Sequence, residues 1–146
     1  MTDALVVLST VGKEEDALRI ARALVEAGLA ACVNMVPGLR SVYRWQGKVE
    51  EEGELLLVIK TRRDRFPALR EKLVELHPYE VPEAIAVSVE DGHPPYLGAL
   101  RDLAHGGGRR ADRLVQLDRG LDDPLPGLTL ALGAALELIG AGHTLV

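Results

Sequence analysis

Few side chains in this 146-residue chain could do chemistry, and each can be followed by number. The single cysteine, Cys32, sits in the aliphatic run Ala31 to Val36. His77 immediately precedes Pro78, and Glu80 and Glu83 follow closely. A thiolate, an imidazole and a carboxylate are ligand types that suit copper or zinc. They lie far apart along the chain, so spacing alone does not assemble them. Each also has a simpler structural reading. A free cysteine usually packs as a small hydrophobe. A histidine at a helix end can hydrogen-bond the last carbonyls. The acidic run Glu50 to Glu54 reads as the solvated tip of a hairpin.

Tyr43, Trp45 and Tyr79 are amphipathic aromatics near loops, a type that lines pockets and subunit contacts. Lys60 ends the aliphatic run Leu55 to Ile59. Its ammonium must therefore reach a sheet edge, a cleft or a carboxylate. An ordinary ion-paired strand end accounts for it equally well. Catalytic signatures are missing. Gly106-Gly107-Gly108 has no Lys-Ser/Thr after it, and there is no G-x-S-x-G turn or H-E-x-x-H helix. Serines occur only at positions 9, 41 and 88, without a recognisable His and Asp context. The expectation is a binding protein, not an enzyme.

The elements that must position these residues are legible in outline. Ala4 to Thr10 is a β-branched and aliphatic run that reads as a buried strand. Lys13 to Ala27 carries Leu18, Ala21, Leu24 and Val25 at helical spacing, with Glu14, Glu15 and Asp16 in the first turn and Gly28 as the stop. Ala31 to Val36 reads as a strand, interrupted at Pro37-Gly38 by a bulge or bend and resumed from Leu39 to Trp45. Gln46-Gly47 reads as a hairpin turn, returning as a long strand from Lys48 to Lys60. Asp64 to Leu76 reads as a helix with Pro67 in its first turn, ended by His77-Pro78. Glu83 to Val89 is the last core strand, and Pro94-Pro95-Tyr96 opens a short helix through Leu103. Strand, helix, strand, strand, helix, strand is the split βαβ pattern of the α+β, ferredoxin-like sandwich. The hairpin is longer than a small sheet needs.

From His105 the composition changes. His105-Gly106-Gly107-Gly108-Arg109-Arg110 reads as a linker, Asp122 to Gly127 as turn material, and Leu128 to Ile139 as an apolar stripe too short and interrupted to span a bilayer. The division is thus 1–104 as a domain and 105–146 as an extension. Aromatics are only 3% of a chain that is 47% hydrophobic, so the core must be aliphatic. A net charge of −5 argues against nucleic-acid binding and is compatible with cation binding. One cysteine excludes an intrachain disulfide. With no secretory pattern at the first residues and no 18-residue apolar run, the expected setting is cytoplasmic, away from membranes.

Several segments together carry a resemblance. Leu29-Ala-Ala-Cys-Val-Asn34, Pro37-Gly38, Ser41-Val-Tyr-Arg-Trp-Gln-Gly47, Ile59-Lys-Thr61, His77-Pro-Tyr-Glu-Val-Pro-Glu83 and Tyr96-Leu97 occur in this order. From about residue 5 to 103 the chain resembles the CutA family of divalent ion tolerance proteins. The resemblance implies a ferredoxin-like fold related in architecture to PII signalling proteins. It implies a homotrimer whose long hairpin arms are paired by neighbouring subunits, which would account for the overlong hairpin. It further implies binding of divalent cations, Cu²⁺ foremost, with Cys32, His77 and Glu83 as matching ligands and no metal needed for folding. A pocket between subunits is implied near Lys60, Trp45 and Tyr79, with Tyr43 beside it. A PII-like alternative would place an anionic metabolite in that pocket. Two positions depart from the pattern: Ser9 stands where some members have a cysteine, and Gly12 where the family has a proline. Residues 105–146 have no counterpart in it.

Overall fold

Aliphatic alternation builds the sheet, and the computed structural model describes it over residues 2–104. The linker, turn and apolar-stripe readings for residues 105–146, and with them the domain division at 104, lie outside the described residues. The described elements are β1 (Ala4–Val11), α1 (Glu14–Glu26), β2 (Cys32–Trp45), β3 (Lys48–Arg62), α2 (Phe66–Leu76), β4 (Ile85–Ser88) and α3 (Pro94–Leu103). The four strands form one antiparallel sheet in the order β2-β3-β1-β4. This is the split βαβ, α+β arrangement expected from the sequence, with α3 added after β4.

Alternation along β1 decides which face is buried. Val7 and Val11 point to the helix-covered face, where Leu57 and Ile59 of β3 join them. Ile20 and Leu24 of α1 and Leu69 and Leu73 of α2 close over this layer. All eight side chains are fully buried, and none is aromatic. On the other face β1 and β3 present Val6, Leu8, Leu56 and Val58, and β4 adds Ile85 and Val87. Neither α1 nor α2 covers that face; Ile85 and Val87 are 52% and 48% exposed.

The hairpin extends beyond the helices. β2 and β3 stay paired from Cys32↔Lys60 to Trp45↔Lys48, with a register shift between Val36 and Leu39. Pro37-Gly38 therefore bulges a single continuous strand, with Gly38 at φ 78°, and does not break it. Gln46 and Gly47, at φ 47° and 79°, form the two-residue turn with both central residues left-handed, the geometry that matches strand twist.

Most boundaries shift by one or two residues, and two of the shifts bear on the site. The second helix starts at Phe66, not Asp64, because Asp64 pairs with Arg62 and the preceding turn is closed by Arg65 N–H donating to the Arg62 carbonyl. The last strand is Ile85–Ser88, not Glu83 to Val89, which leaves Glu83 in the loop between α2 and β4.

Candidate functional site

The α2–β4 loop is anchored by its first residue. The Nε2–H of His77 donates to the Thr10 carbonyl at 2.9 Å, and the backbone N–H of Tyr79 donates to Nδ1 at 3.1 Å. Accepting at Nδ1 leaves the ring proton on Nε2, so both nitrogens are engaged. The residue is 7% exposed, and its ring lies 4.7 Å from that of Tyr79. His77 thus holds the loop against β1.

That anchor aims Tyr79 at the hairpin. Its hydroxyl donates to Glu54 Oε2 at 2.8 Å. Gly12 permits the approach, since a Cβ there would lie 3.2 Å from the Tyr79 hydroxyl oxygen. Burial, then the hydrogen bond to the Glu54 carboxylate, raise the Tyr79 phenol well above its ordinary value. Burial and the neighbouring Glu54 charge raise the Glu83 carboxyl. Burial and the Glu52 carboxylate do the same for the Tyr43 phenol.

Hairpin and loop together enclose a cleft of about 600 Å³. Tyr43, Trp45 and Tyr79 supply aromatic walls, and Glu52, Glu54, Glu80 and Glu83 supply carboxylates. Glu54 is only 7% exposed. Among the described residues, no lysine or arginine forms an ion pair with any of these four carboxylates. The cleft is therefore an aromatic, strongly negative recess.

The expected site residues divide accordingly. Tyr43, Trp45, Tyr79 and Glu83 come together in this cleft. Lys60 does not join them. It lies opposite Cys32 and Val6, with its ammonium 5.6 Å from the centre of the Tyr96 ring. It lies six residue steps along β3 from Glu54, roughly 20 Å at the rise of a strand. Cys32 shares that end of the sheet, its Sγ 3.9 Å from Asn34 Oδ1. His77 contacts Thr10, which pairs with Leu56, roughly 13 Å along β3 from the Cys32 partner. Cys32, His77 and Glu83 thus do not converge within one chain. Among the described residues no three His, Cys, Asp or Glu side chains form a cage for a metal ion. A one-chain copper site of thiolate, imidazole and carboxylate does not fit this geometry.

Ser9 faces away from Cys32. It lies on the helix-covered face between Val7 and Val11, fully buried, and its hydroxyl has no hydrogen-bond partner among the described residues. A cysteine at that position would not face Cys32 either. Glu52 and Glu54 read as part of a solvated hairpin tip, but Glu54 is buried and bonded to Tyr79; Thr10 was not singled out in the sequence. The signal for Glu54 was its place after Gly53, where the hairpin passes from polar tip to apolar base.

The family described as "CutA1 divalent ion tolerance protein" matches residues 5–102. A divalent-cation tolerance protein CutA from Thermus thermophilus is 57% identical over 97 residues, covering 66% of this chain and 94% of that protein. The mouse protein CutA is 53% identical over 88 residues, 60% of this chain, and the chain spans about half of it, 50%. The solved divalent cation tolerance protein of Thermus thermophilus superposes with a TM-score of 0.67 at 56% identity, over 68% of this chain and 96% of that one.

Proposed function

The chain belongs to the CutA1 divalent ion tolerance family, whose role is divalent-cation tolerance, and on that premise we propose that it acts as a non-catalytic, cytoplasmic, cation-binding homotrimer. The observation that carries this reading is the open sheet face. Val6, Leu8, Leu56 and Val58, half-buried, and Ile85 and Val87, exposed, form an aliphatic surface that α1 and α2 leave uncovered and that α3 meets only at its Lys60 end. Such a patch on a small domain marks a contact surface. The hairpin tip projects past the helices with Val42 and Val49 exposed, which suits pairing with a neighbour.

Copper belongs to this proposal at Cys32. The thiol lies on the open face beside Asn34, so packing copies through that face presents Cys32 to its neighbours. A thiolate favours soft and borderline metals. His77 is assigned the anchoring role described above, because its two nitrogens already serve Thr10 and Tyr79. Calorimetric titration of the full-length protein with Cu²⁺ tests this. Cys32→Ala is expected to abolish the binding heat and His77→Ala to retain it. Unchanged heat in both variants would remove both residues as ligands. Light scattering should give three times the chain mass; a monomer would overturn the assembly.

A further inference from the structure

We infer that the His77 imidazole is an acid-sensitive latch: its neutral form holds the α2–β4 loop, and a proton at Nδ1 frees the loop beyond it and carries Tyr79 off Glu54. Every bond in the latch lies within one chain. The inference therefore holds whether or not neighbouring copies complete the cleft, and it does not rest on the copper reading.

The sequence leaves this loop few attachments. Pro78 and Pro82 have no N–H to give, and among the described residues no backbone–backbone hydrogen bond reaches residues 78–83. Two bonds of one residue do the holding. The Tyr79 N–H donates to His77 Nδ1 at 3.1 Å, and the Tyr79 hydroxyl donates to Glu54 Oε2 at 2.8 Å. The fit is close, since Gly12 leaves room for that hydroxyl and a Cβ there would lie 3.2 Å from it. A shift of the Tyr79 backbone is therefore felt at Glu54.

The base of the latch is fixed. His77 donates its backbone N–H to the Leu73 carbonyl at the end of α2 and its Nε2–H to the Thr10 carbonyl on β1, each at 2.9 Å. A neutral imidazole has one donor nitrogen and one acceptor nitrogen, and here each has the partner it needs. The imidazolium donates at both. Its bond to Thr10 survives, but Nδ1–H then faces a second donor, the Tyr79 N–H, 3.1 Å away. The ring is 7% exposed and cannot turn that proton elsewhere without giving up Thr10. The loop bond is thus present with the neutral ring and lost as pH falls.

The ionisable group nearest the ring is Tyr79, 4.7 Å between ring centres, and beyond its hydroxyl stands Glu54 of β3. β1 and α2 contribute the carbonyls of Thr10 and Leu73. Glu52, Glu80 and Glu83 share the cleft lining with Tyr79 and Glu54. Glu83 is the rival source of a pH response, because burial raises its carboxyl.

Ring-nitrogen NMR and amide hydrogen exchange on the full-length protein test this, from about pH 8 to about pH 5, the window in which imidazole titrates. The chain has four histidines, and the His77 signals are those lost in His77→Asn. At the upper pH they should show the proton on Nε2 and none on Nδ1. Across the window the Tyr79 amide, corrected for intrinsic exchange, should lose about tenfold in protection, as loss of one hydrogen bond would cause. Asparagine supplies an acceptor oxygen in place of Nδ1 and does not titrate, so His77→Asn should keep its protection constant. Glu83→Gln should lose protection as wild type does. Circular dichroism confirms that each variant is folded. A proton on Nδ1 at the upper pH overturns the proposal, as does wild-type protection that stays level across the window. An equal loss in His77→Asn overturns it too. A loss abolished by Glu83→Gln would assign the response to that carboxyl and would likewise overturn the latch.

Discussion

Residue by residue, the sequence indicated which side chains matter but not what they do. His77 was readable as a helix-terminal residue or a ligand, and only its two hydrogen bonds decide for the loop anchor. Glu83 was grouped with Cys32 and His77, whereas its neighbours in the cleft are Glu54 and Tyr79. Pairing across strands, which the chain order does not display, makes that difference. Its raised carboxyl has a consequence for stability. A carboxyl whose folded value exceeds the unfolded one favours folding at low pH, and this contribution is lost as pH rises through the folded value. At neutral pH the ionised Glu83 therefore weakens the fold. Glu83→Gln is expected to raise Tm at pH 7 and to change it little at a pH below the carboxylate range. Scanning calorimetry at both pH values checks this; equal shifts at both would refute the electrostatic cause. Ser9 offers a second case. Its hydroxyl is fully buried with no partner among the described residues, a state that costs about 1–3 kcal/mol. Ser9→Ala should stabilise the protein by about 1 kcal/mol in urea denaturation. A loss of stability would mean that the hydroxyl is bonded.

Among the elements, period and turn chemistry were legible and boundaries were not. Every described helix and strand falls where the alternation or the 3.6-residue spacing put it. Pro37-Gly38 reads locally as an interruption, but β3 stays paired on both sides and the strand continues through the bulge. The shortening of β4 to Ile85–Ser88 follows from Pro82 and from the loop's commitment to the hairpin through Tyr79 and Glu54. The hairpin turn gives the sharpest test at this scale. Gly47 sits at φ 79°, where a Cβ is strained whatever the space around it. Gly47→Ala should cost about 1–2 kcal/mol, read as a lower urea midpoint with an unchanged slope. An unchanged midpoint would show that the turn relaxes, or that the tip is uncoupled from global unfolding.

At the scale of the whole molecule, the described residues bury one sheet face well and leave the other aliphatic and only partly covered, with α3 against its Lys60 end. No periodicity reveals that asymmetry in advance. Both faces of β1 read as apolar, and only the placement of α1 and α2 shows which one is covered. If copies cover the open face, a charge placed there should separate them. Val87→Asp, at an exposed position next to Val6, is expected to give a folded monomer by light scattering and circular dichroism. Residues 105–146 supply the competing occupant, since Leu128 to Ile139 is apolar enough to lie on such a face. The two covers predict opposite results for a chain ending at Ala104. The Thermus thermophilus relative is matched over 94% of its length by residues of this domain, so its fold needs no extension of this kind. The shortened chain should therefore keep both the mass of the proposed trimer and the full chain's melting temperature. Dissociation or precipitation on truncation would instead assign the open face to the chain's own extension, and the self-association proposed here would be wrong.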